Sequence, residues 1–104
     1  MSGFRVSYLE LVWEEIIKLP DPERVIIDEY VKLLETWGPR LTMPFCRQLE
    51  RGLYELRPDC SRLLYFYHRE NKYVIVHMFR KQTQKTPRKE IRTAKQRISR
   101  FLGG

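Results

Sequence analysis

Five side chains in the second half of the chain, Arg57, Arg62, His77, Lys81 and Lys85, fall at the ends of strand-like segments or just beyond them. Arginine and lysine donate charged hydrogen bonds to phosphate oxygens, and histidine exchanges protons near neutral pH. Brought together by neighbouring strands, such groups would steady a phosphate and move protons around it without a metal. Strand alternation narrows which of them meet: His77, Phe79 and Lys81 share one face, and Val74, Val76 and Met78 the other. The aliphatic face is expected to pack on helices, with His77, Phe79 and Lys81 looking into an open cleft. Arg62 and Tyr65 point to opposite faces unless a bulge intervenes. Arg62 is the better site residue, because a buried unpaired guanidinium costs more than a buried tyrosine whose hydroxyl is satisfied.

Each of these residues also has an ordinary structural reading. His77 can be a strand histidine held by a backbone hydrogen bond, and Lys81 and Lys85 can be solvated loop charges. Arg57 can pair with Glu55, which shares its strand face, or with nearby Asp59. His68, at a hairpin end, reads as solvent-exposed. Most of the aromatic residues Tyr65, Phe66, Tyr67, Tyr73 and Phe79 read as core. Tyr67 and Phe79 are the two that suit stacking on unpaired bases.

Charge distribution points the same way as the five cations. Residues 1–40 carry 5 Lys/Arg against 8 Asp/Glu, net −3, whereas residues 41–104 carry 15 against 5, net +10. Such asymmetry predicts a polyanionic partner for the second half. No run of about 18 apolar residues exists to span a membrane, and the N-terminal residues lack the apolar segment of a signal peptide. A cytoplasmic protein is therefore expected, with no membrane partner. Cys46 and Cys60 lie in no CxxC or Cys/His cluster, so no metal is expected; two reduced thiols fit the cytosol, although spacing alone leaves a disulfide open.

With 104 residues the chain is expected to fold as one domain over 1–104. Alternation over Phe4 to Leu9 predicts a first strand, and helical spacing follows from Glu10 to Lys18, stopped by Pro20-Asp21-Pro22. Asp21 is expected to cap a second helix, which runs with Pro22 at its first position until Gly38-Pro39. Three further strands are predicted over residues 52–57, 61–67 and 73–79, in successive antiparallel hairpins, with a brief pairing at Phe45 to Leu49. Thr86-Pro87 then opens a last helix, with the Thr86 hydroxyl as cap. Its apolar stripe is Ile91, Ala94, Ile98, Phe101 and Leu102, opposite Arg88, Lys89, Arg92, Lys95 and Arg100.

This order of elements, with the runs Leu53-Tyr-Glu-Leu-Arg57, Arg62-Leu-Leu-Tyr-Phe-Tyr67, residues 77–87 and residues 90–97, resembles the RelE/ParE toxin superfamily, in particular its HigB-like, phage-derived branch. The resemblance implies an α+β fold: a small antiparallel sheet packed against two N-terminal helices, with a basic C-terminal helix. It also implies the toxin of a type II toxin–antitoxin system, a ribosome-dependent mRNA endoribonuclease silenced by a cognate antitoxin, expected to be a helix-turn-helix protein.

Cutting RNA without a metal or cofactor requires a base for the 2′-OH, an acid for the leaving 5′-oxygen and cations for the phosphate. On this reading Lys81, Lys85 and His77 handle protons, and Arg57 and Arg62 steady the phosphate. Tyr67, Phe79, Arg80, Arg88, Lys89 and Arg92 would bind RNA, and the cationic helix face would meet ribosomal RNA or an acidic antitoxin segment. Two other readings stay open at this point: a ParE-like DNA gyrase inhibitor that performs no chemistry, and an inactive nucleic-acid-binding phage remnant.

Overall fold

A computed structural model describes residues 3–103. Its central feature is the hairpin of two nine-residue strands, β4 (Ser61–Arg69) and β5 (Lys72–Arg80), rich in the aromatic and β-branched residues that fit a pleated surface. Glu70 and Asn71 close it with φ of 52° and 62°, the paired left-handed conformation of a two-residue hairpin turn. Strand β3 (Leu53–Leu56) runs antiparallel to β4, and β2 (Cys46–Glu50) antiparallel to β3. The expected pairing near residue 45 is thus a full edge strand.

The first strand, β1 (Arg5–Tyr8), pairs parallel to β5, so the sheet is mixed, in the order β1-β5-β4-β3-β2, and not wholly antiparallel. The cause is topological. The chain leaves β1 for two helices, returns at the far edge with β2, and reaches β1 again only after three antiparallel turns.

Helices α1 (Glu10–Ile16) and α2 (Asp21–Trp37) cover one face of the sheet. There Val12, Ile16, Ile27, Val31 and Leu34 share a core with Leu56, Leu63, Tyr65, Tyr73 and Ile75. Asp21 begins α2 without capping it and pairs with Arg24 instead. The helix stops at Gly38, whose φ of 53° suits glycine and whose missing side chain admits the Phe4 ring; a Cβ there would lie 2.3 Å from that ring. Both cysteines are free, and the Cys46 thiol donates to the Leu41 carbonyl at 3.1 Å.

Helix α3 (Arg88–Phe101) covers the other face, with Ile91, Ala94 and Ile98 packed against Leu53, Leu64, Phe66, Val74, Val76 and Phe79. Val74 and Val76 therefore pack on α3, but His77 and Phe79 share their side and Met78 does not, against the expected alternation. A bulge explains the difference: Leu64 pairs with His77 and Tyr65 with Ile75, leaving Val76 unmatched. Val76 and His77 consequently turn to the same side, and Met78 packs on the α1–α2 core.

Candidate functional site

The register of β2, β3 and β4 gathers charge on the α3 side of the sheet. Arg47 pairs with Glu55, and Glu55 with Leu64, so these residues share a face with Arg57 and Arg62 two positions further along. Glu55 is 1% exposed. Its Oε1 accepts from Arg47 Nε at 3.0 Å and from Arg57 Nη1 at 2.9 Å, and its Oε2 accepts from the Thr86 hydroxyl. Thr86 thus spends its hydroxyl on β3 and does not cap α3, which has no side-chain cap. Arg47 Nη2 donates in turn to the Gln84 carbonyl at 2.9 Å and to Thr86 Oγ1 at 3.3 Å.

Arg62, 6% exposed, donates from Nη1 to the carbonyls of Asp59 at 2.9 Å and Ser61 at 2.8 Å. Among the described residues no carboxylate forms an ion pair with it. Burial first, and the charge of Arg57 second, lower its pKa below the ordinary arginine range. Three guanidinium groups thus stand with one carboxylate between them. A buried cation left uncompensated is costly, and an anion with several acceptor oxygens is the ligand that relieves it.

Lys81 extends the β5 ladder, its N–H donating to the Cys60 carbonyl at 2.8 Å, and its half-buried side chain has no ion-pair partner among the described residues. Lys85 lies exposed in the loop before α3, beside a groove of about 510 Å³ lined also by Arg47, Gln48, Thr86, Arg88 and Ile91. A second groove of about 430 Å³ shares Arg88 and Ile91 and continues along α3 past Arg92 and Lys95. Lys95 is held there by Glu50 at 2.8 Å. Lys85, Arg88 and Arg92 thus form one cationic surface, and Lys89 is exposed on the same helix.

His77 is not in the open cleft. Its Nε2 lies 2.7 Å from Glu90 Oε1, and its Nδ1 accepts from Arg97 Nη1 at 3.1 Å, which assigns the ring proton to Nε2. Arg97 Nη1 also donates to the Val76 carbonyl at 2.9 Å, the bulge residue. With its side chain 12% exposed, His77 pins α3 to the sheet. Phe79 stacks on it, ring centroids 5.7 Å apart, and packs against the α3 core. The remaining two expected contacts lie elsewhere: Arg80 pairs with Glu23 of α2 at 2.9 Å, and exposed Tyr67 sits at the hairpin end on the α1–α2 face, edge-on to Tyr73.

Sequence reasoning missed Arg47 and treated Glu55 only as an alternative partner for Arg57. The available signal was the alternation of Glu55 with Arg57; Arg47 becomes visible only once β2 is in register with β3.

A sheet of this topology, clasped by two helices on one face and a basic helix on the other, is the fold of the RelE toxins. A chain of the archaeal RelE–RelB complex from Pyrococcus horikoshii OT3 superposes with a TM-score of 0.66 at 21% identity, over 75% of this chain and 94% of that one. For the toxin–antitoxin complex RelBE2 of Mycobacterium tuberculosis the values are 0.60 and 22%, over 78% and 94%. For a double arginine mutant of Escherichia coli toxin RelE in the free state they are 0.57 and 18%, over 98% and 100%. Residues 14–99 match the family described as phage derived protein Gp49-like (DUF891), and the chain belongs to that family. No curated protein matches it.

Proposed function

We propose that this chain is the toxin of a type II toxin–antitoxin system and cleaves mRNA on the translating ribosome, in the manner of the HigB-like branch. The observation that carries this reading is Arg62: a buried guanidinium beside Arg57 that, like Lys81 and Lys85, forms no ion pair among the described residues. The reaction is an internal transphosphorylation. The 2′-oxygen forms a bond to the adjacent phosphorus, the P–O5′ bond breaks, one proton leaves the 2′-OH and another reaches O5′, giving a cyclic phosphate and a 5′-OH end.

Arg57 and Arg62 hold the non-bridging oxygens as their charge grows. Lys81 and Lys85 stand on the open side, where the proton donor and acceptor are needed. His77, both of whose ring nitrogens are engaged, contributes by fixing α3 and the start of the cationic groove. Arg88, Lys89 and Arg92 then hold the RNA or ribosomal backbone, a contact without sequence preference.

The RelE fold supports the toxin reading, and two of the similar structures are complexes whose names include RelB or an antitoxin. A helix-turn-helix antitoxin with an acidic segment suits the α3 surface. No helix among the described residues is long and apolar enough to cross a membrane, and ribosomes place the site of action in the cytoplasm. Induction of the chain without an antitoxin, followed by mapping of new RNA 5′ ends and of plasmid supercoiling, tests the proposal. Messages cut within translated regions, with supercoiling intact, are expected; lost supercoiling with intact messages would mean a gyrase inhibitor instead.

A further inference from the structure

Three segments that carry the site's cations meet at one carboxylate. Glu55 lies on β3, takes Arg47 of β2 and Arg57 through Oε1, and takes Thr86 of the pre-helix loop through Oε2. Arg47 closes the circuit by donating to the Gln84 carbonyl and the Thr86 hydroxyl of that same loop. The loop spans residues 81–87, between β5 and α3, and has no regular secondary structure to hold it. It nevertheless carries both Lys81 and Lys85. Few other side-chain contacts tie it down: Thr83 donates to the Lys85 carbonyl, within the loop itself.

We infer that Glu55 is a positioning residue that, with Arg47 and Thr86, fixes the lysine-bearing loop against Arg57. This rests on the cleavage reading and goes beyond it by assigning a role to three residues outside the proposed set of phosphate and proton groups. A solvent-exposed pair would be too weak and too mobile for such a task. Here the carboxylate is almost wholly buried, its geometry is fixed from both oxygens, and a displacement of about 1 Å in a reacting group costs on the order of 100-fold in rate. Glu55 touches no substrate; it acts through Arg57 and through the loop.

Two measurements on the full chain test the assignment. The first is turnover on programmed ribosomes, separated into kcat and KM; the second is the backbone order parameters of residues 82–86 from 15N relaxation. For Glu55→Gln the expected result is a fall in kcat of about 10- to 100-fold with KM within about threefold of the parent, and loop order parameters falling from about 0.85 towards 0.6. Thr86→Val, which leaves the Glu55 carboxylate between its arginines, serves if the first variant fails to fold, and should move both readouts in the same direction by less. Thr86→Ser, which restores the hydroxyl, should return both to parental values. Wild-type kcat or unchanged loop order parameters in a folded Thr86→Val chain would overturn the assignment while leaving the cleavage reading standing. A parent chain that cuts nothing on ribosomes would instead overturn the cleavage reading, and the positioning role with it.

Discussion

At Arg62 two costs meet. Burial strips water from the guanidinium, and the carbonyls of Asp59 and Ser61 return only dipoles, while the neighbouring Arg57 adds repulsion. Arg57 is ion-paired with Glu55, whereas among the described residues Arg62 forms no ion pair and feels the Glu55 charge only at a distance. On the proposed reading the arrangement is held short of its stability optimum until a phosphate arrives, as binding sites often are. Arg62→Met, which keeps the aliphatic length and removes the charge, should therefore lower kcat/KM by about 100-fold or more and leave the melting temperature unchanged or raised. Cleavage kinetics beside a thermal melt will decide. A melting temperature several degrees lower with cleavage intact would mean that the guanidinium serves the fold and not the substrate.

At the scale of elements, α3 is secured less by its own sequence than by what it meets. Its first turn gives Glu90 to His77, and its middle gives Arg97 to His77 and to the carbonyl of the bulge residue Val76. His77→Ala removes two hydrogen bonds to charged groups and leaves Glu90 short of its partner, a loss of about 1–3 kcal/mol. A fall of roughly 4–8 °C in melting temperature per kcal/mol is expected for a domain of this size. On ribosomes the variant should keep more activity than Lys81→Ala; equal loss in a folded protein would restore His77 to the proton chemistry.

Tyrosines secure the opposite face. Burial pushes Tyr8 and Tyr73 from the ordinary 10 up to about 12, and raises Tyr65 further. Burial also raises the Cys46 thiol above its ordinary 9.0, so from about pH 9 the unfolded chain releases protons that the folded chain retains, and stability declines from there, more steeply from 10 towards 12. Denaturant melts at pH 8, 10 and 11.5 should show a small decline by 10 and a larger one beyond it; an unchanged midpoint at 11.5 would contradict the packing of these hydroxyls.

Several elements were legible in the sequence because local chemistry fixes them. Proline stopped α1, Gly38-Pro39 stopped α2, and the period-two run at residues 73–79 marked a strand. The faces of His77 and Met78 were not legible, since a bulge depends on which residue of β4 each residue of β5 meets. The same holds for the parallel pairing of β1, which only the return of the chain to the first edge can produce. Of the five cations first singled out, Arg57 and Arg62 do share a face with the groups beside Lys85, whereas Glu90 and Arg97, distant in sequence, draw His77 into the interior. Thr86 had the position of a cap, but a buried carboxylate without its second donor outweighs one exposed helix N–H.

Over the whole molecule charge is sorted by face. The acidic first half supplies α1 and α2, and the cations of α3 and its preceding loop lie across the sheet. Such a distribution orients the chain on a polyanion before any close contact forms. Affinity for ribosomes should fall steeply with salt, and Arg88→Glu with Arg92→Glu should both weaken binding and flatten its salt dependence. An unchanged slope would place the contact elsewhere. The surface so defined also leads to the arginine cluster, through the groove shared by Arg88, Lys85 and Arg47.

Cleavage of a defined message on purified, programmed ribosomes tests the cation cluster most directly, comparing the parent chain with the Arg62→Ala, Lys81→Ala double variant. The parent is expected to cut the translated message and leave the free message intact, while the folded double variant cuts neither. Equal cutting by the two chains, or none by the parent, would contradict it.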